Sequence, residues 1–236
     1  YYFLNFSEKS TKSEIKKILE YSTKTKLLQC VANHKSINLL DANDLKKLND
    51  MIKNVNINKE IEVELRFGLL KQRFNPVIVK PNFLNILKKV ESLNFKKEID
   101  DFIDIYSDKV RTRYKFSEDY GVYIFNDSII KNRISNIDIT MNHILSYDVR
   151  FAMSSEVKVK QYNEDGECFR KYRTSFVEPN GLFRIDFTAI TEGVYTNRNF
   201  VLKQDSSEIF QIEIEFLRSD ININNLFRLL TIPVGK

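Results

Sequence analysis

From Glu60 onward, apolar residues alternate with polar or charged ones at a period of two, the spacing of a strand with one buried face. Segments near residues 60–68, 109–116, 121–125, 129–135, 146–153, 155–162, 169–177, 182–191 and 209–217 all read this way. Eight or nine strands in series predict an antiparallel sheet large enough to close on itself. Two hairpin loops are legible, Asn163-Glu164-Asp165-Gly166 and Glu178-Pro179-Asn180-Gly181, each ending on glycine after acidic or amide residues. Before residue 60 the spacing is helical. Ser13 to Glu20 opens on a capping-box pattern, and NDLKKLNDMI from Asn43 puts Leu45, Leu48 and Ile52 on one face. A further helix is predicted just after Pro81, where Phe83, Leu84, Leu87 and Val90 follow at helical spacing, and a short one around Asn224 to Leu230.

The polar faces of these strands carry the chemistry. IEVELRF places Glu62, Glu64 and Arg66 opposite Ile61, Val63, Leu65 and Phe67, and QIEIEF places Gln211, Glu213 and Glu215 on one face. Carboxylates two residues apart on a strand stand roughly 7 Å apart and repel by about 2 kcal/mol at an effective dielectric near 20. A hard divalent cation is the common way to offset such a pair, because it takes oxygen ligands and keeps waters that a phosphate displaces. The strands between supply the opposite charge in the same register: Arg111, Arg113 and Lys115; Lys131 and Arg133; Asp148 and Arg150; Glu156, Lys158 and Lys160; Lys171 and Arg173; Arg184, Asp186 and Thr188. With those faces inward, the sheet is a polar tunnel whose apolar outer wall is covered by helices. The ordinary alternative is a sandwich with these charges in water.

Composition narrows the classes. Of 236 residues, 42% are hydrophobic and 29% charged, too apolar for disorder. No apolar run approaches the roughly 20 residues of a membrane helix. The two cysteines, Cys30 and Cys168, allow one bridge at most, which points to a reducing compartment rather than a disulfide scaffold and makes the glycosylation patterns at Asn5 and Asn126 fortuitous. A formal charge of +5 permits a polyanionic partner without naming one. The chain begins at Tyr1 with no methionine, so it is expected to be one domain, residues 1–236, cut from something longer, with a helical part to about 58 and a barrel from about 59 to 218.

IEVELRFG and QIEIEF together resemble the two glutamate strands of the triphosphate tunnel metalloenzymes, in particular the metal-dependent RNA 5′-triphosphatases of mRNA capping in fungi, protozoa and giant viruses of the mimivirus type. The resemblance covers about residues 60 to 217. It implies an α+β, mainly β fold, a closed antiparallel eight-stranded barrel with helices packed on its outside. It implies Mg²⁺ or Mn²⁺ held by Glu62, Glu64, Glu213 and Glu215. Catalytic positions would fall on Glu156, Lys171, Arg173 and Arg150, with Glu156 orienting water, and phosphate-binding ones on Arg66, Arg111, Arg113, Arg133, Lys158, Asp186 and Thr188. Arg66 departs from the family's usual lysine, turning a point contact into a fork.

The implied reaction removes the γ-phosphate from 5′-triphosphate RNA, the first step of capping. Nucleoside triphosphates are possible alternative substrates, and a guanylyltransferase domain would follow downstream. The implied location is cytoplasmic, in a viral factory or virion if the source is viral. A small-molecule triphosphatase of the same fold and a non-catalytic module for phosphorylated ends are the competing readings. Other phosphate chemistries find no support. No G-x-x-x-x-G-K-[ST] loop occurs among the six glycines, no Lys-x-Asp-Gly nucleotidyl-transfer motif is present, and Arg173 comes one residue too early after Cys168 for a Cys-x5-Arg phosphatase. His34 and His143 are isolated. Tyr114, Tyr123, Phe151 and Phe187 sit opposite the charged register and are expected to pack the wall.

Overall fold

The computed structural model describes residues 43, 46–48, 50, 60–141 and 147–218. The expected helices at 13–20 and 224–230 lie outside these, as do Cys30, His34 and His143. Of the helix expected from Asn43, the described residues are helical and Leu48 is fully buried.

In chain order the elements are β1 (Ile61–Leu70), β2 (Phe74–Asn75), α1 (Lys80–Glu91), β3 (Lys96–Ser107), β4 (Val110–Ser117), β5 (Val122–Ile139), β6 (Asp148–Lys158), β7 (Glu167–Val177), β8 (Phe183–Thr196), β9 (Asn199–Leu202) and β10 (Ile209–Phe216). Every pairing is antiparallel. Around the barrel the order is β1, β6, β5, β4, β3, β7, β8, β10 and back to β1, so eight strands close and leave no edge. β2 adds to β1 and β9 to β8.

The structure corrects three of the sequence expectations. The runs 121–125 and 129–135 are one strand, β5, kept continuous by a bulge on β4–β5 between Arg113 and Tyr114. The runs 146–153 and 155–162 are likewise one strand, β6, ending at Lys158. β3 escapes the alternation pattern altogether. Its sequence, KKEIDDFIDIYS, sets Asp100 beside Asp101 and Phe102 beside Ile103, and these like neighbours hide the period of two.

The main core lies outside the barrel. The outward residues Val63, Leu65, Phe67, Val149, Phe151, Phe187, Ile212 and Ile214 pack beneath α1 and Leu48. α1 starts at a proline in its first turn, has Lys88 and Lys89 in its last, where they complement the helix dipole, and buries Phe83 and Val90. Burying each such side chain stabilises by about 1.5–3 kcal/mol. Phe83 meets Phe210 at 4.9 Å and Phe187 at 5.5 Å, ring to ring. A second cluster, Ile103, Ile105, Tyr114, Tyr123, Cys168 and Tyr195, is covered by Phe200 of β9. That ring lies so close to Gly193 that a Cβ there would come within 2.3 Å of it. Tyr114, Tyr123, Phe151 and Phe187 thus pack the wall, as expected.

Candidate active site

With the apolar alternates committed to the outer core, the polar alternates have only the interior to occupy. They enclose a cavity of about 960 Å³. Cross-strand register brings the two acidic strands side by side: Glu64 pairs with Glu215 and Arg66 with Glu213 across β1–β10, and Glu213 with Asp186 across β10–β8.

The acidic wall is braced by half-buried cations. Arg66 lies 3.0 Å from Glu64 and 2.8 Å from Glu213. Lys131 holds Glu62 and stands 3.6 Å from both Glu64 and Glu156. Arg184 bridges Asp186 at 2.8 Å and Glu215 at 2.6 Å. Even so, Glu64 Oε1 is buried and accepts no well-aligned hydrogen bond. Burial raises the Glu64 carboxyl above its usual range despite Arg66, and the neighbouring Glu213 adds to the rise. Burial also pushes Glu215 up to about 7 against the pull of Arg184, with Glu62 and Asp186 adding to it. Glu213 goes the other way: burial opposes ionisation there, but Arg66, Arg173 and Lys171 outweigh it.

The facing wall is basic. Arg173 stands 3.2 Å from Asp186 and donates to Thr188 Oγ1 at 3.2 Å, while Lys171 donates to Asp104 at 2.8 Å. Arg113 makes a two-pronged bond to Asp104, at 2.7 and 2.9 Å. Arg111 lies 4.0 Å from Glu156 and 3.9 Å from Asp127. Beneath these groups Phe102, inward on β3, carries Arg113 over its face at 3.9 Å and Arg173 at 5.2 Å, each distance measured to the ring centroid. Such cation–ring contacts hold guanidinium groups in fixed planes.

The structure brings Glu62, Glu64, Arg66, Arg111, Arg113, Glu156, Lys171, Arg173, Asp186, Thr188, Glu213 and Glu215 into this cavity. It does not bring in Arg133, Arg150 or Lys158. All three keep the inward register, and Arg150 pairs with the cavity residue Arg66, but their side chains are engaged elsewhere or lie at the strand end. Arg150 is instead tied to Asp138 at 2.6 and 2.8 Å and stacked on Phe74, and Lys158 is exposed at the end of β6. Arg133 is 3.6 Å from Glu64 at a bulge centred on Ile134, after which Ile137 and Ile139 turn to the outer core. The expected site set left out Asp104, Phe102, Asp127, Lys131 and Arg184. Lys131 and Arg184 were legible from the alternation, whereas Asp104 and Phe102 went with the missed strand.

The family model described as mRNA capping enzyme, beta chain, matches residues 82–229. The chain belongs to this family. The match begins after β1, so Glu62 and Glu64 lie before it. No curated protein sequence matches the chain. Among solved structures it is similar to the Pct1 RNA triphosphatase of S. pombe, with a TM-score of 0.58 at 14% identity over 75% of this chain and 79% of that one. It is also similar to the mimivirus capping enzyme triphosphatase, with a TM-score of 0.55 at 17% identity over 81% of this chain and 96% of that one. The barrel is the triphosphate tunnel fold of these capping-enzyme domains.

One consequence of the acidic wall is a pH dependence. Glu215 titrates higher folded, about 7, than its usual 4.5, so its contribution to stability is fully present below pH 4.5 and is lost as pH rises through 7. In chelator, the melting temperature is expected to fall between pH 5 and 8, and Glu215→Gln to flatten that slope. An unchanged slope in the variant would locate the titrating group elsewhere.

Proposed function

We propose that the chain hydrolyses the β,γ bond of 5′-triphosphate RNA ends, leaving diphosphate ends for guanylyl transfer by a linked domain or partner enzyme. The division of charge inside the barrel carries this reading: carboxylates of β1, β8 and β10 on one wall, and on the other Lys109 of the β3–β4 turn with Arg111, Arg113, Lys171 and Arg173 of β4 and β7. Eight acidic and eight basic side chains line the cavity, so its protein charges nearly cancel and leave little to hold a polyanion. A divalent cation on the acidic wall changes that balance.

The residues fit such a cation. Glu62, Glu64, Glu213 and Glu215 offer only oxygen, the donor set of Mg²⁺ and Mn²⁺, and Glu64 Oε1 is a buried acceptor with nothing well aligned to it. Two of the four carboxyls are raised, chiefly by burial and further by the neighbouring carboxylates, against the pull of Arg66 and Arg184. A bound ion would supply Lewis-acid polarisation of the phosphoryl oxygens. Lys171 and Arg173 grip the γ-phosphoryl oxygens, Arg111 and Arg113 take the neighbouring ones, and Asp186 and Thr188 aim Arg173. Glu156, flanked by Lys131 and Arg111, is the acceptor that orients the attacking water. Arg150 and Arg133 act from outside the cavity, through Asp138 and Glu64.

Release of phosphate from triphosphate-ended RNA and from ATP, each with Mg²⁺, Mn²⁺ or chelator, tests the reading. Activity with RNA that vanishes in chelator is expected, and undiminished release in chelator would sink it. No thiolate takes part. Burial, with Asp104 nearby, pushes the Cys168 thiol up to about 12, and its side chain lies in the outer cluster. Cys168→Ala is therefore expected to keep near wild-type kcat, and a folded but inactive variant would contradict this mechanism.

A further inference from the structure

Phe102, Tyr106 and Phe169 place aromatic rings inside a charged tunnel; Tyr106 carries Lys171 Nζ 5.4 Å from its ring centroid, and Phe169 has no cation over its ring among the contacts of the described residues. Phe102 is 1% exposed and covered by the guanidinium groups of Arg113 and Arg173. Tyr106 and Phe169 share its inward register yet line the open cavity, and Tyr106 keeps 37% of its surface exposed. They stand one strand pair apart on β3 and β7, where Phe169 pairs with Asp104, and meet edge to face at 6.1 Å. Both lie near strand ends at one rim of the barrel, beside the β3–β4 turn that brings Asp108 and Lys109 to the same cavity.

Depth fixes what these rings would meet. One inward step along β7 from Phe169 is Lys171 and the next is Arg173, each step about 7 Å at the rise of a strand. A triphosphate gripped at Lys171 and Arg173 with its γ end inward would place its ribose and base toward the rim. Arg111, which pairs with Tyr106 across β3–β4, supplies charge for the α-phosphate side of the same path.

We infer that Tyr106 and Phe169 form a stacking platform for the nucleobase of the substrate's first nucleotide, a subsite that distinguishes nucleotide triphosphates from inorganic tripolyphosphate. The inference rests on the triphosphatase reading for the direction of the phosphates. Stacking is tolerant of sequence because every base has a π face, so the platform selects a nucleotide without selecting which one. Tyr106 has a second contact, since Lys171 donates to its hydroxyl at 3.1 Å, and the test must separate ring from hydroxyl.

The experiment is equilibrium binding of a 2-aminopurine nucleoside triphosphate with a β,γ-imido bridge, followed by fluorescence, alongside competition by inorganic tripolyphosphate. The wild-type protein should quench the base. Tyr106→Leu and Phe169→Leu should each weaken nucleotide binding on the order of tenfold and relieve the quench, with tripolyphosphate affinity unchanged. Tyr106→Phe should keep the quench. Absence of quenching by the wild-type protein, unchanged nucleotide binding in both leucine variants, or an equal loss of tripolyphosphate affinity would overturn the platform; the last would make the rings supports of Lys171. Because the bridged analogue is not turned over, failure to release phosphate from RNA would count against the activity and leave this readout to decide the platform.

Discussion

Asp104→Ala is expected to lower the stability of the folded chain by about 3 kcal/mol, the low end of what breaking a buried ion pair costs. The carboxylate is fully buried, takes both prongs of Arg113 and accepts from Lys171. Burial opposes its ionisation, but Lys171 first and then Arg113 overcome this and hold its pKa well below the usual 3.8. Alanine leaves Arg113, stacked on Phe102, and Lys171, over Tyr106, without the counter-charge they share. Some of the penalty is relieved because both can turn toward water in the cavity, which sets the estimate at the low end. For a chain of this size the shift in Tm is about 6–12 °C. Since the depressed pKa gives stability above 3.8 that is lost as pH falls through it, the difference between variant and wild type should shrink in acid. Chemical denaturation at pH 7 and pH 3 measures both. A loss below about 1 kcal/mol at pH 7 would mean that the Arg113 and Lys171 pairs are not maintained in solution.

Glu64→Gln should show the opposite separation, with a large effect on function and little on the fold. The side chain is buried, and its carboxyl is raised because burial outweighs Arg66. Its charge is therefore a cost to the folded state without metal, and a nearly isosteric neutral amide should melt no lower than wild type in chelator. If Glu64 is a ligand, losing it weakens the metal at least as much as losing a residue that only supports a ligand, for which the upper range is about 100-fold. At a Mn²⁺ concentration 100 times the wild-type Kd, the ion stabilises wild type by about 2.7 kcal/mol and the variant by about 0.4 kcal/mol. Turnover should drop by about the same 100-fold at limiting metal. A thermal-shift series with and without Mn²⁺ reads this directly. Retention of the full metal-induced shift would remove Glu64 from the metal site and leave it as a partner of Arg66, Lys131 and Arg133.

The contrast between these two carboxylates is one of legibility as well as energy. Glu64 and Glu215 stand in short runs of strict alternation, where each acid has an apolar neighbour on either side, so face and chemistry are read together. Asp104 stands beside an Ile-Asp-Asp-Phe-Ile run in which the inward set, Asp100, Phe102, Asp104 and Tyr106, mixes acids with rings. Hydropathy alone cannot sort such a set, because an aromatic that faces a tunnel and one that faces a core look the same along the chain. The rings at Phe102, Tyr106 and Phe169 became interpretable only once guanidinium groups, or open cavity, were seen beside them.

What the sequence determined by itself is local: the period of two, the proline-started helix, the glycine-ended hairpins, and hence which residues of most strands share a face. Those faces hold because each pleat sends neighbours to opposite sides regardless of what lies across the gap. The tertiary structure alone decided which residues of remote strands stand side by side and which of them line the cavity. That depends on strand register, on the bulge at Ile134 that flips Ile137 and Ile139 outward, and on the closure of β8 and β10 onto β1, all contacts between segments remote in the chain. For this reason the face of Arg150 and Lys158 is legible in the sequence while their absence from the cavity lining is not, and Glu213 meets Arg66 and Asp186 only when the barrel closes.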